Sequence, residues 1–371
     1  MFWILLILIF IRPFVSSLAF PYIDLVISCA LIISLFIWFI QQRSARNKLK
    51  ILRIPFTLYI VGLFLTTVFS AYKIISLFEF YKYGLGLLLF FFGFSLDDKN
   101  KKSVLQIIIW AGTIISLLAL YQYFRGFHHV LAYVSGHNIT NPFILEYLTR
   151  KRVFFPFVTP NILGGYLAMI IPLALAFKKK IFFLLPLFGA ILLTASAGAF
   201  LSMCLGVSIY YLLTNRFNKR TLIILASIFS AGAVLIIITR VMTHTQHHQL
   251  SFSTSMRFNY WKETLELIKQ FPLTGVGPGN FNLQHSRFTH NSFLQIWAEL
   301  GIITLIGFIW LNLQIFISAI KKILQRQSSI QYAALMASCS IFLIHNLIDF
   351  SFFLPEVASI WWVLLGMLFV I

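Results

Sequence analysis

The sequence predicts an all-α polytopic integral membrane protein of about twelve transmembrane helices, with one large outer-side loop containing short helices. Three observations predict it. The 371 residues are 60% hydrophobic with a mean hydropathy of +0.90, more apolar surface than a water-soluble chain of this length can bury. Only 11% are charged. Finally, short basic clusters recur between apolar blocks: Arg43 to Arg53, Lys99 to Lys102, Lys178 to Lys180, Arg216 to Arg220 and Lys321 to Arg326. Each closes one apolar run and opens the next, the positive-inside pattern, which places all five in the cytoplasm. The net charge of +19 thus reflects loop placement, and no nucleic-acid partner is expected.

The elements follow in order. The chain begins on an apolar run without a basic leader or a small-residue cleavage site, so a retained first span is expected rather than a signal peptide. Residues 1–124 hold about five spans, near 3–20, 22–41, 54–70, 77–96 and 103–124. A first outer loop covers 125–158. Residues 159–239 form the central spans, near 159–177, 181–196, 198–214 and 221–239. The split of 181–214 rests on the break "TASAGA" and on basic clusters at both flanks, which require an even number of crossings. A large outer loop covers 240–289, and 290–371 holds spans near 290–320, 331–350 and 354–371. Both termini then face the cytoplasm. Cys29, Cys204 and Cys339 lie in apolar runs without CxxC spacing, as small core residues do.

Eight of the nine histidines fall in or beside the two outer loops, which directs attention there. From Arg257 to Lys269 the pattern Phe258, Trp261, Leu265, Ile268 predicts an amphipathic helix ended by Pro272. "GVGPGN" follows, and Gly275, Gly277 and Gly279 permit positive φ; exposed N–H groups there would form a nest for an anion, or a plain tight turn. Then comes "RFTHNSFLQIWAELG". Thr289 or Asn291 can cap the helix that starts here, its positive end facing outward with Arg287 and Arg257 adding charge. His290 is expected to face the bundle with Leu294 and Trp297. Gln295 and Glu299 share a helix face at i, i+4, and His345 with Asp349 makes a second polar pair inside a span; both should face the bundle interior. Earlier, Pro160 and Asn161 fit a helix start, and Gly164-Gly165 lets another helix approach closely. Arg152, Arg240, Arg257 and Arg287 stand on the outer side against the charge bias, which an anionic lipid-linked substrate explains: the guanidinium fork pairs with phosphate oxygens.

Taken in order, "TPNILGGYLAM", "SAGA" between two short spans, "RFNYWKETLELIKQFPLTGVGPGNF" and "THNSFLQIWAELG" resemble the bacterial O-antigen ligase and polymerase superfamily, polytopic glycosyltransferases of the GT-C type. The resemblance covers roughly Arg152 to Asp349. It implies a periplasmic loop over the site, in the cytoplasmic (inner) membrane. It also implies a donor glycan on undecaprenyl pyrophosphate, moved to a glycan or lipid A–core hydroxyl without metal or cofactor. Carried over, Arg257 would bind the pyrophosphate, His290 would act at the acceptor hydroxyl, and Asp349 would support them, with Glu299 beside. Arg287, Arg152, Arg240, Asn291, Asn161 and Gly277 are the expected substrate-binding residues. One departure stands out: the family's Ser-Arg-Gly reads Ser196-Ala197-Gly198 here, so Arg152, Arg240 or Arg287 substitutes, or activity is altered.

A ligase is favoured over a polymerase, which differs only in its acceptor. A transporter of lipid-linked sugars is the reading from another class; no inverted halves support it. A metal site at His244, His247 and His248 lacks nearby carboxylates.

Overall fold

The computed structural model describes residues 1–41, 50–136, 147–177, 180–214, 218–242, 252–284, 286–325 and 330–369. His137, His244, His247, His248 and His285 lie outside them, as do several basic residues of the loop clusters. Among the described residues every regular element is helical. The helices are α1 (Phe2–Ile11), α2 (Pro21–Gln41), α3 (Arg53–Phe69), α4 (Lys73–Ser95), α5 (Asp98–Tyr121), α6 (Phe127–Gly136), α7 (Pro160–Leu175), α8 (Lys180–Thr194), α9 (Ala197–Leu213), α10 (Lys219–Met242), α11 (Phe252–Gln270), α12 (Ser292–Leu324), α13 (Ile330–His345) and α14 (Pro355–Leu368).

Every apolar run expected to be a span contains a helix. Among the described residues six helices are long and apolar enough to cross a membrane: Pro21–Gln41, Lys50–Phe69, Lys73–Ser95, Asp98–Ala132, Lys219–Ile238 and Ser292–Leu324. The other six apolar helices run only 10–17 residues. The shortness of the first has a local cause. The run expected near 3–20 stops as a helix at Ile11, and Pro13 enters a 3₁₀ turn. There the buried Arg12 pairs with Asp24 of α2, and Glu356 of α14 lies within 4.0 Å. A charge in an apolar run is tolerated where such a partner exists. Sequence reading missed this cluster, although a lone arginine inside an apolar run was its visible signal.

Two further boundaries differ from expectation. The chain expected to leave the bundle at Arg125 stays helical, through a π-helical turn (Gln122–Gly126) into α6. Asp349, expected inside a span, lies beyond the end of α13 at His345.

The bundle is sorted by end. At one end Lys101 of α5 donates to the Tyr332 hydroxyl (3.5 Å), and Lys322 of α12 lies over the Tyr332 ring. Two of the basic clusters therefore meet there. At the other end gather the start of α12, the ends of α8 and α13, and residues 271–284 and 286–291. The innermost helices are α7 and α14: all of α14 is buried, as is all of α7 but Asn161 and Leu175. The paired glycines of α7 make this possible. A Cβ on Gly165 would stand 1.9 Å from the His345 ring, and one on Gly164 2.8 Å from Ala199.

Candidate functional site

The helix expected over residues 257–269 exists as α11, but a different stripe faces the protein. Tyr260, Thr264 and Ile268 are buried, whereas Phe258 and Leu265 are 59% and 43% exposed. Both stripes have helical spacing, and packing against α12 selects the one carrying the smaller Thr264.

The glycine loop is committed to α12. That helix is not continuous: Gly301 has φ 78° and ψ 166°, which breaks the ladder and leaves carbonyls without their usual partners. The loop supplies them. Val276 N–H donates to Ala298 O, Gly277 N–H to Glu299 O (both 2.9 Å), and Gly279 N–H to the Glu299 carboxylate. Gly277 has φ 102°, and a Cβ on it would meet Ser70 Oγ at 2.4 Å. The expected anion nest therefore has its amides occupied by the protein itself, and Gly277 serves packing. Glu299 also accepts from Gln295 Nε2 (3.3 Å), so these two carboxylate and amide groups pair as their i, i+4 spacing predicts.

At the start of α12, Asn291 is the cap: its Oδ1 accepts from the N–H groups of Phe293 and Leu294. Thr289 instead braces the turn, its Oγ1 accepting from Asn291 N–H. His290 between them has φ 55°, so its ring direction is set by this turn, not by the helical periodicity expected for it. The imidazole lies near-parallel to Tyr260 of α11 (centroids 5.9 Å, planes 19° apart) and meets Phe350 edge-on at 4.9 Å. Burial holds its pKa down at about 4; the Asp349 carboxylate opposes this and the Arg257 guanidinium adds to it. Arg257, His290 and Asp349, distant in sequence, thus share one electrostatic neighbourhood. Arg257 has no hydrogen-bond or ion-pair partner among the described residues.

Next to them, His345 Nε2 lies 3.0 Å from Asn161 O and 3.4 Å from Asp349 Oδ2. Ser292 Oγ donates to Asn346 Oδ1 (2.6 Å) and lies 3.1 Å from Asp349 O, which ties α12 to the end of α13. His290 Nδ1, His345 Nδ1 and Asp349 Oδ1 are buried without hydrogen-bond partners among the described residues. Buried polar atoms left this way are uncommon and call for a ligand or a strain explanation.

Two of the other candidate arginines, Arg152 and Arg287, are engaged. Arg152 donates from Nε to Thr194 O (2.9 Å) and from Nη2 to Asn161 Oδ1 (3.1 Å), and lies over the Tyr147 ring. It therefore braces the break before Ala197, which is exposed at the first position of α9. Arg287 pairs with Glu79 at 3.7 Å. Arg240 sits in the last turn of α10, with its side chain outside the described residues.

Helices of this length and apolarity, with a polar cluster gathered at one end, define a polytopic membrane protein. Residues 181–309 match the family model described as O-antigen ligase, in keeping with the resemblance that the sequence carries. No curated protein matches the chain. The matched segment holds Arg257, Arg287, His290, Asn291 and Glu299; Arg152, Asn161 and Asp349 fall outside it.

Proposed function

We propose that this protein is an O-antigen ligase-like glycosyltransferase of the bacterial inner membrane. In this reading it moves a glycan from undecaprenyl pyrophosphate to a hydroxyl on lipid A–core, at the periplasmic face and without a metal. The observation that carries the proposal is the convergence of an uncommitted Arg257 with His290 and Asp349, beside buried polar atoms that have no protein partner.

The acceptor oxygen attacks the anomeric carbon of the donor sugar, and the bond from that carbon to the pyrophosphate oxygen breaks. The acceptor proton passes to His290, whose low pKa keeps the imidazole neutral and able to accept or orient it at neutral pH. The departing pyrophosphate gains negative charge that Arg257 offsets, in surroundings drier than bulk water. Asp349 offers His290 a counter-charge once it is protonated. Arg152 holds the break before Ala197, where the family places its own arginine.

A polymerase would use the same donor chemistry and differ in the acceptor alone. Incubation of the purified protein with a lipid-pyrophosphate glycan and separate lipid A–core and polymer-terminus acceptors tests both. The proposal expects product with the first acceptor, loss of it in His290→Ala, and no requirement for added metal. An absence of product with either acceptor, from protein that still binds the donor, would refute transfer.

A further inference from the structure

Beside the His290 cluster a cleft of about 320 Å³ opens between α2, α4, α12 and α14. Its wall includes Glu79 and Lys82 of α4, Gln295 and Glu299 of α12, Phe288 from the loop, and Trp362 of α14. All its ionic groups have partners. Glu79 pairs with Lys82 at 2.5 Å and with Arg287 at 3.7 Å. Asp24, which also lines the cleft, pairs with Arg12 and accepts from the Tyr81 hydroxyl (3.1 Å). Glu299 accepts from Gln295 and Gly279 N–H.

Such balanced charge is poor for a phosphate, which needs an uncommitted cation. It is also poor for a prenyl chain, because hydrocarbon against Gln295, Glu299 and Lys82 would leave polar groups unhydrated. Paired charges offering hydrogen bonds in both directions, between aromatic faces, suit a neutral polyhydroxylated ligand. The cleft also communicates with the proposed site. Phe288 stacks on Phe350 (centroids 4.0 Å, planes 10° apart), and Phe350 meets the edge of His290.

We propose that this cleft is a neutral-saccharide subsite. It takes sugar rings of a substrate whose reacting end lies at His290, with hydroxyls on Glu79, Lys82 and Gln295 and an apolar sugar face on Phe288. The inference rests on the transferase reading for the placement of that reacting end.

The test uses the full chain in nanodiscs, titrated with a neutral N-acetylhexosamine tetrasaccharide and, separately, with a polyprenyl phosphate, by saturation-transfer NMR. Leu18, 39% exposed at the cleft, allows Leu18→Trp to narrow it at little risk to folding. Lys82→Gln removes a donor charge. Both variants are expected to weaken tetrasaccharide binding by about tenfold, to leave polyprenyl phosphate binding unchanged, and to raise one substrate's KM. Which KM rises, donor or acceptor, names the source of the sugar. Parent-like tetrasaccharide affinity in both variants, no tetrasaccharide binding by the parent, or its displacement by polyprenyl phosphate would each overturn the proposal. If the variants lose tetrasaccharide binding while the parent transfers nothing, the subsite stands and the transferase reading falls. If His290→Ala abolishes transfer while both variants behave as the parent, the reverse holds.

Discussion

The imidazole of His290 lies near-parallel to the ring of Tyr260, centroids 5.9 Å apart. A helix lying in the large loop thereby fixes the position of a residue at the start of a membrane helix. Replacing His290 by Ala is expected to lower transfer by roughly 10²–10⁴ if it is the general base, with donor binding retained. Tyr260→Phe keeps the ring contact and should behave as the parent, while Tyr260→Ala should lower turnover. Rates of the three purified variants check this, and full turnover by His290→Ala would remove it from the chemistry.

The pH dependence follows from the depressed pKa. An imidazole titrating near 4, against 6.5 for a free one, stays neutral as pH falls through 6.5. Transfer should therefore hold level below pH 6.5 and decline only toward 4. Stability has the matching sign. The unfolded chain binds more protons between these values, so the His290 contribution is complete above 6.5 and lost as pH falls toward 4. A rate profile bending at 6.5 in the parent would contradict this.

Arg257 acts on His290 and, in the proposed mechanism, on the leaving group. Arg257→Ala should reduce transfer by about 10² or more if the contact strengthens as pyrophosphate departs. Arg257→Lys should recover only part, because an ammonium lacks the bidentate fork. Removal of the guanidinium also lifts the His290 pKa, so the acid limb of the rate profile should move to higher pH. Unchanged kinetics in Arg257→Ala would take this residue out of the site.

Gly277 is expected to matter for folding rather than for phosphate binding. At φ 102°, with a Cβ 2.4 Å from Ser70 Oγ, Gly277→Ala costs on the order of 1–3 kcal/mol. Thermal unfolding in detergent should show a lower midpoint, while donor Kd in the folded fraction is unchanged. A weakened donor Kd at parent stability would restore the anion-nest reading.

Arg152 and Ala197 make a paired test. Arg152→Ala removes the contacts to Thr194 and Asn161 and should lower activity. Ala197→Arg places a guanidinium at an exposed helix start, where it should fold normally and raise donor affinity. No rise in affinity would mean that Arg152 already fulfils that function. Sidedness is checked in a cysteine-free background. Cysteine at Gln284 should label from outside and cysteine at Lys101 or Lys219 should not; the opposite pattern overturns the topology.

What the sequence determined by itself were properties set by short windows of chain. Apolar runs partition as helices because lipid leaves the backbone no other partner, so all twelve expected runs contain helices and the "TASAGA" break parts α8 from α9 at Ala195 and Ser196. Candidate chemistry was also legible, because polar residues at the lip of an apolar helix stand out against their surroundings. Tertiary packing decided the rest. It turned α11 onto Tyr260 and Thr264 where spacing alone allowed two stripes. It spent the amides of Val276 and Gly277 on the kink at Gly301, and that of Gly279 on the Glu299 side chain, which no local pattern reveals. It joined Arg12 to Asp24 and Glu356, and brought Arg257 and Asp349 to His290. Helix formation depends on neighbours within a few residues, whereas the face a helix turns inward and the partner a buried charge finds depend on contacts far along the chain.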